Sequence, residues 1–232
     1  MFAAMLAVVS AFAIFSDGGA RILAQETGAA APEDLNTLLA HLQHHYQQTN
    51  SFSASFKETI ARVGAPPQER SGRVDYLKPG RVRFEFGDPQ PETIVSDGKL
   101  LYDYDPGLNQ VMETPLKNAI KTQAVAAFLL GAGNVERDFK ASRPVSPADD
   151  GLIHVLLTPK RGGDPIDLGL EPHTLNIASL RLADALGNVT KISFSDIDIN
   201  AAIESSRFAF KTPAGADVVT PSGTDSPVKS MP

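Results

Sequence analysis

Gly72-Arg-Val-Asp-Tyr-Leu-Lys-Pro-Gly-Arg-Val-Arg-Phe-Glu-Phe86 decides the fold. Val74 and Tyr76 sit two apart in a run that stops at Pro79-Gly80, and beyond it Val82, Phe84 and Phe86 alternate with Arg83 and Glu85. A period of two sends successive side chains to opposite faces of an extended chain. The stretch therefore reads as two β-strands around a tight turn, each with one apolar face.

The same pattern extends outward in both directions. Upstream, Phe52, Ala54, Phe56 and Ile60 share one face while Ser53, Ser55, Lys57 and Thr59 share the other. Before them the period is helical: Asp34 is a good N-cap, and Leu35, Leu38, Leu39, Leu42 and Tyr46 recur along an amphipathic helix ending near Asn50. Downstream, Ile94-Val95-Ser96 runs into Asp97-Gly98, a type I′ hairpin signal, and then Leu100 to Tyr104. Further strands are predicted at Ile153–Leu157, Ile166–Leu170, Thr174–Leu182, Thr190–Phe194 and Phe208–Phe210, with Gly187-Asn188 as a turn. Only Ala119–Leu130, rich in Ala, Leu and Val and stopping at Gly131, breaks the β pattern and reads as a second helix. Strands joined by hairpins make an antiparallel sheet, and one this large curls. The expected class is α+β: a curved antiparallel sheet forming an unclosed β-barrel, with helices covering its mouth.

With 232 residues, 42% hydrophobic and 21% charged, one core-bearing domain is expected. The net charge of −6 argues against nucleic-acid binding and against adhesion to anionic lipid heads. Cysteine is absent, which removes disulfides, thiolate metal sites and thiol nucleophiles. Met1 to Phe15 is almost entirely apolar, followed by small residues at Gly18, Gly19, Ala20 and Ala24. This is too short to span a bilayer and reads as a secretory signal over residues 1–24, although no Lys or Arg precedes Phe15. A domain over 25–219 and a Pro-, Gly- and Ser-rich tail over 220–232 complete the expected organisation.

No constellation points to chemistry. His41 and His45 lie four apart on the first helix, but the sequence between them lacks the general base of a zinc-protease motif, and no third ligand suggests itself. Asp103-Asp105 and Asp196-Asp198 each share a strand face, as half-exposed strands do. Neither a nucleophile elbow nor a phosphate-binding glycine loop occurs. No catalytic residue, metal or cofactor is assigned.

The segment Gly72–Phe86, with Ile94-Val-Ser-Asp-Gly-Lys99, Leu101-Tyr-Asp-Tyr-Asp-Pro106, Gln110-Val111, Ser51-Phe-Ser-Ala-Ser-Phe56 and Phe208-Ala-Phe-Lys-Thr-Pro-Ala-Gly-Ala-Asp217, resembles the periplasmic outer-membrane lipoprotein carriers known as LolA. In order and spacing these pieces cover most of residues 33 to 219. The resemblance implies an unclosed barrel with helices over an apolar cavity. It further implies a non-enzymatic carrier that receives acylated lipoproteins from an inner-membrane ABC exporter and hands them to an outer-membrane acceptor. A monomer is expected, because a carrier that presents one mouth to successive partners gains nothing from pairing. By matching positions, Val82, Phe84, Phe86, Ile94 and Tyr102 line the acyl cavity, and Phe128, Leu129 and Leu130 belong to the lid. The family commonly has Arg before the proline of the Pro-Gly-Arg stretch, where it hydrogen-bonds the lid; here that place is Lys78, a point charge in place of a planar fork, so any latch is looser.

The design suits the task. Burying acyl carbons is worth about 0.8 kcal/mol per CH₂, so a rigid preformed pocket would hold cargo too tightly to release it. A lid that fills the cavity when empty and must be displaced leaves a moderate net affinity. The neighbouring readings are an acceptor-like or envelope-stress-sensor-like lipid-binding module, or a periplasmic hydrolase. The first usually carries a lipidated Cys, the second a further domain, and the third a nucleophile context, none of which this sequence offers.

Overall fold

The computed structural model describes residues 34–121 and 134–220. Helix α1 (Leu35–Gln48) starts where the sequence places it: the Asp34 carboxylate accepts from the Asn36 and Thr37 amides at 3.1 and 3.3 Å, satisfying donors that the first turn leaves without partners. Strands β1 (Ser51–Ala61), β2 (Gln68–Leu77), β3 (Arg81–Phe86), β4 (Glu92–Asp97), β5 (Leu100–Asp105) and β6 (Gln110–Pro115) then meander antiparallel, each paired with the next. Two short helices follow, α2 (Leu116–Lys121) and α3 (Val135–Asp138). Strands β7 (Phe139–Ser142), β8 (Ile153–Pro159), β9 (Ile166–Leu170), β10 (Ile177–Ala183) and β11 (Val189–Ile199) form a second meander, and β11 closes back on β1.

The result is one twelve-stranded sheet in the order β12-β6-β5-β4-β3-β2-β1-β11-β10-β9-β8-β7, with β12 (Asp217–Val219) parallel to β6 and every other pair antiparallel. The two outermost strands do not pair with each other, so the barrel is unclosed.

Helix α1 lies on one face of this sheet, the inner face. Leu38, Leu39 and Leu42 pack there with Val155, Leu157, Ile166, Leu168, Leu170, Ile177 and Leu180 into a sealed core. At about 2 kcal/mol per buried leucine, this contact is what turns an amphipathic segment into a fixed helix. Ile192 and Phe194 on β11 touch both this core and a second cluster on β1–β3, so the inner face is continuous across the sheet.

Three expectations are corrected. The strand expected at Phe208–Phe210 is a short 3-10 turn (Ser205–Phe208) followed by irregular chain, because this segment crosses the outer face and does not join a ladder. The hairpin between β4 and β5 has Gly98 and Lys99 as its loop, and only Gly98 has a positive φ (95°), whereas a type I′ turn needs two such residues. Residues 172–174 form a turn, and the strand expected from Thr174 starts at Ile177.

Candidate functional site

The register assembles the inner face of β1–β5 into rows running across the strands. One row is Phe56, Gly72, Phe86; the next is Ala54, Val74, Phe84, Ile94, Asp103; the third is Phe52, Tyr76, Val82, Ser96, Leu101. Of the residues expected to line a cavity, Val82, Phe84, Phe86 and Ile94 are brought together here. Val82 is buried, whereas Phe84, Phe86 and Ile94 are only half-buried.

Phe56, which sequence reading placed on a strand face without a role, is the hub of this patch. Its ring meets Phe84 and Phe86 edge-on, with centroids 5.5 and 4.9 Å away, an arrangement that suits the ring quadrupoles. The ring rests against Gly72, where a Cβ would stand 3.0 Å from Phe56 Cε1 and 2.0 Å from the Glu85 carbonyl oxygen. Only glycine fits there.

Polar groups border the patch at one end. The Arg70 guanidinium lies 4.1 Å from the Phe86 ring centroid and pairs with Glu58 at 2.6 Å and with Glu92. Asp103, next to Ile94 in its row, has its carboxyl pushed up to about 6 by burial first and then by its hydrogen bond to, and repulsion from, Glu92. The sequence hinted at an Asp103-Asp105 face, but not at the cross-strand meeting with Glu92.

Tyr102 is a correction. It pairs with Val95, which pairs with Arg83, so it lies on the outer face, opposite Phe84. There its ring stacks on Phe210 at 4.9 Å, beside a crevice of about 530 Å³ lined by Arg81, Lys99 and Phe208. The C-terminal segment clamps this outer face. Arg207 donates to Asp75 at 2.9 Å and to Glu85 at 3.2 Å, and Phe208 is fully buried. The Arg207 hydrogen bond holds the Glu85 carboxyl below its usual range, against the opposing effect of burial.

Lys78 does bind a helix, but the bond falls on α1. Its amine donates to the Tyr46 and Gln47 carbonyls at 2.7 and 3.1 Å, capping acceptors that the end of a helix leaves open. Phe128, Leu129 and Leu130 lie outside the described residues, as do the signal segment and most of the tail. His45 bonds the Asn176 side chain at 3.1 Å. A buried histidine–carboxylate cluster lies on the outer face: both ring nitrogens of His154 stand 2.9 Å from carboxylates, those of Asp167 and Asp150. Burial opposes its charge, but the two carboxylates prevail and raise its pKa above the ordinary imidazole value, as befits a structural histidine.

The class that these features define is an open antiparallel half-barrel, filled by its own helix over one half of the inner face and lined with half-buried aromatic rings over the other. Comparison with known proteins narrows this. Residues 47–211 match the family model described as outer membrane lipoprotein carrier protein LolA. An outer-membrane lipoprotein carrier protein of Methylobacillus flagellatus is 35% identical over 77% of this chain and 86% of its own length. One of Chromobacterium violaceum is 34% identical over 83% and 92%. An uncharacterised conserved protein of Thermus thermophilus shares the fold at a TM-score of 0.51 and 15% identity, covering 80% of this chain and 98% of its own. The chain belongs to the LolA family of outer membrane lipoprotein carrier proteins.

Proposed function

We propose that this protein binds the acyl chains of lipoproteins against the open half of its inner face and carries them through the periplasm from the inner to the outer membrane. One observation carries the reading. Phe56, Phe84 and Phe86 form an apolar patch whose outer two rings are only half-buried, on the same sheet face where α1 covers a larger, tighter core. Aromatic surface left partly open on such a sheet is available to an apolar guest.

In this reading Val82, Phe84, Phe86 and Ile94 receive the acyl chains, with Phe56 beneath the two rings. Phe128, Leu129 and Leu130 belong to the lid that cargo displaces. Lys78 braces the end of α1 and so fixes the boundary between the filled and open halves. Residues 1–24 direct export and are removed, 25–219 form the carrier, and 220–232 are a tail. An ABC exporter in the inner membrane loads the protein and an acceptor at the outer membrane unloads it. No step makes or breaks a covalent bond, so neither catalytic residue nor cofactor is required.

The test is to recover the protein from the periplasm and search by mass spectrometry for bound acylated protein. Lipoproteins are expected in their acylated form only; recovery without any, or equal recovery of unacylated forms, would sink the reading.

A further inference from the structure

Tyr76 is 3% exposed, and its hydroxyl is the one buried side-chain oxygen or nitrogen among the described residues that has no hydrogen-bond partner. Its neighbours in the fold have theirs. Asp75 on the other face takes Arg207 and Ser53, and Ser96 in the same inner row accepts from the Gly98 amide. Tyr76 instead lies among apolar groups: the Phe52 ring at 5.3 Å, Val82 across the strand, and Val74 and Phe84 one row away. A buried hydroxyl without a partner destabilises the protein, and phenylalanine would fill the same space without that penalty. The group makes sense if its partner arrives with the cargo.

Acyl chains bring such a partner. Each chain of a lipoprotein joins its peptide through an ester or amide, whose carbonyl accepts hydrogen bonds and supplies its own donor in neither case at the oxygen. Drawn onto an apolar face, that carbonyl would lose its water and gain nothing. We infer that the Tyr76 hydroxyl donates a hydrogen bond to an acyl carbonyl of the bound lipoprotein, fixing where the polar head of a chain stops on the inner face. This rests on the carrier reading above and adds a positioning residue to it. Burial pushes the phenol up to about 12, so it keeps its proton and remains a donor throughout the neutral range. The row position agrees: Tyr76 lies close to the Lys78 brace and α1, at the edge of the open half, with Phe84 and Phe86 extending away from it for the hydrocarbon.

The experiment compares the full chain with Tyr76→Phe, binding a fluorescent triacylated lipopeptide and, separately, a long-chain alkyl fluorophore that has no carbonyl. The substitution is expected to weaken the lipopeptide about three- to tenfold, to leave the alkyl probe unchanged, and to leave the unfolding midpoint of the empty protein equal to or above that of the parent. Unchanged lipopeptide affinity, or an equal loss for both probes, would overturn the inference. A lowered midpoint would do so as well, since it would reveal a partner in the empty protein. Failure of the parent chain to bind either probe would instead strike the carrier reading itself, and this inference with it.

Discussion

The two halves of the inner face are built from similar alternating strands and end up covered to different degrees. Over β8–β10, α1 lays down three leucines on a core, from Val155 to Leu180, that is at most 6% exposed. Over β1–β4, Ala54, Phe56, Val74, Tyr76 and Val82 are buried as well, but Phe84, Phe86 and Ile94 stay half-buried. The open half has a smaller inner core, and it is also braced from behind. On its outer face Val95 and Val111 are fully buried, Phe208 is covered, and Arg207 ties the C-terminal segment to Asp75 and Glu85. The filled half needs less there and carries the His154 ion pairs. A sheet can leave part of one face less tightly covered for a guest when some of the work of holding it together is moved to the other.

The sharpest way to break this comparison is to damage the filled half. Leu42→Ala, at a position with no exposure, is expected to lower unfolding free energy by about 3 kcal/mol in a urea titration, with little change in lipopeptide affinity while the protein stays folded. A comparable loss of affinity would mean that the halves are not separate. Phe84→Glu should do the reverse: a half-exposed carboxylate is tolerated in the empty protein, but set against acyl chains it should weaken binding about thirtyfold, roughly 2 kcal/mol. Undiminished lipoprotein uptake by the folded variant would refute the assignment of this patch.

Removing the brace comes next. Arg207→Met leaves Asp75, which is 5% exposed, without its main counter-charge and should cost about 2 kcal/mol, read by thermal unfolding. The pH dependence sharpens the point. Because Arg207 holds the Glu85 carboxyl below its ordinary range, the stability it contributes is present above that range and lost as pH falls through the depressed value; the variant should lose less on acidification. The smallest effect belongs to the border of the open half. Asp103, raised to about 6, favours the folded state while protonated and loses that contribution as pH rises from about 4 through 6. Asp103→Asn should therefore stabilise by about 1 kcal/mol at pH 7, after allowance for its partial exposure, and by nothing below pH 4. Equal stabilisation at both pH values would show that charge is not the cause.

Much of this was legible because it is periodic. Asp34 and the leucine spacing gave α1, and the alternation from Val82 to Phe86 gave both a strand and its inner face. The face of Tyr102 was not legible, because Leu101, Tyr102 and Asp103 offer apolar candidates for either side. The register places Asp103 inside, and the ring goes outward because Phe210, more than a hundred residues later, is there to stack on it. The β12 strand, whose three residues are all exposed, carries no pattern to read. The vacancy of Tyr76 is likewise invisible in one dimension, since an unsatisfied hydroxyl is defined by what surrounds it.

That small last strand has an outsized effect on the company the protein keeps. By lying alongside Gln110–Met112 in three pairings, it occupies the row of amides and carbonyls that β6 would otherwise present at the end of the sheet. The sheet thereby ends on this side in a strand of only three residues, a much shorter template for joining strand to strand than the six of β6 would be.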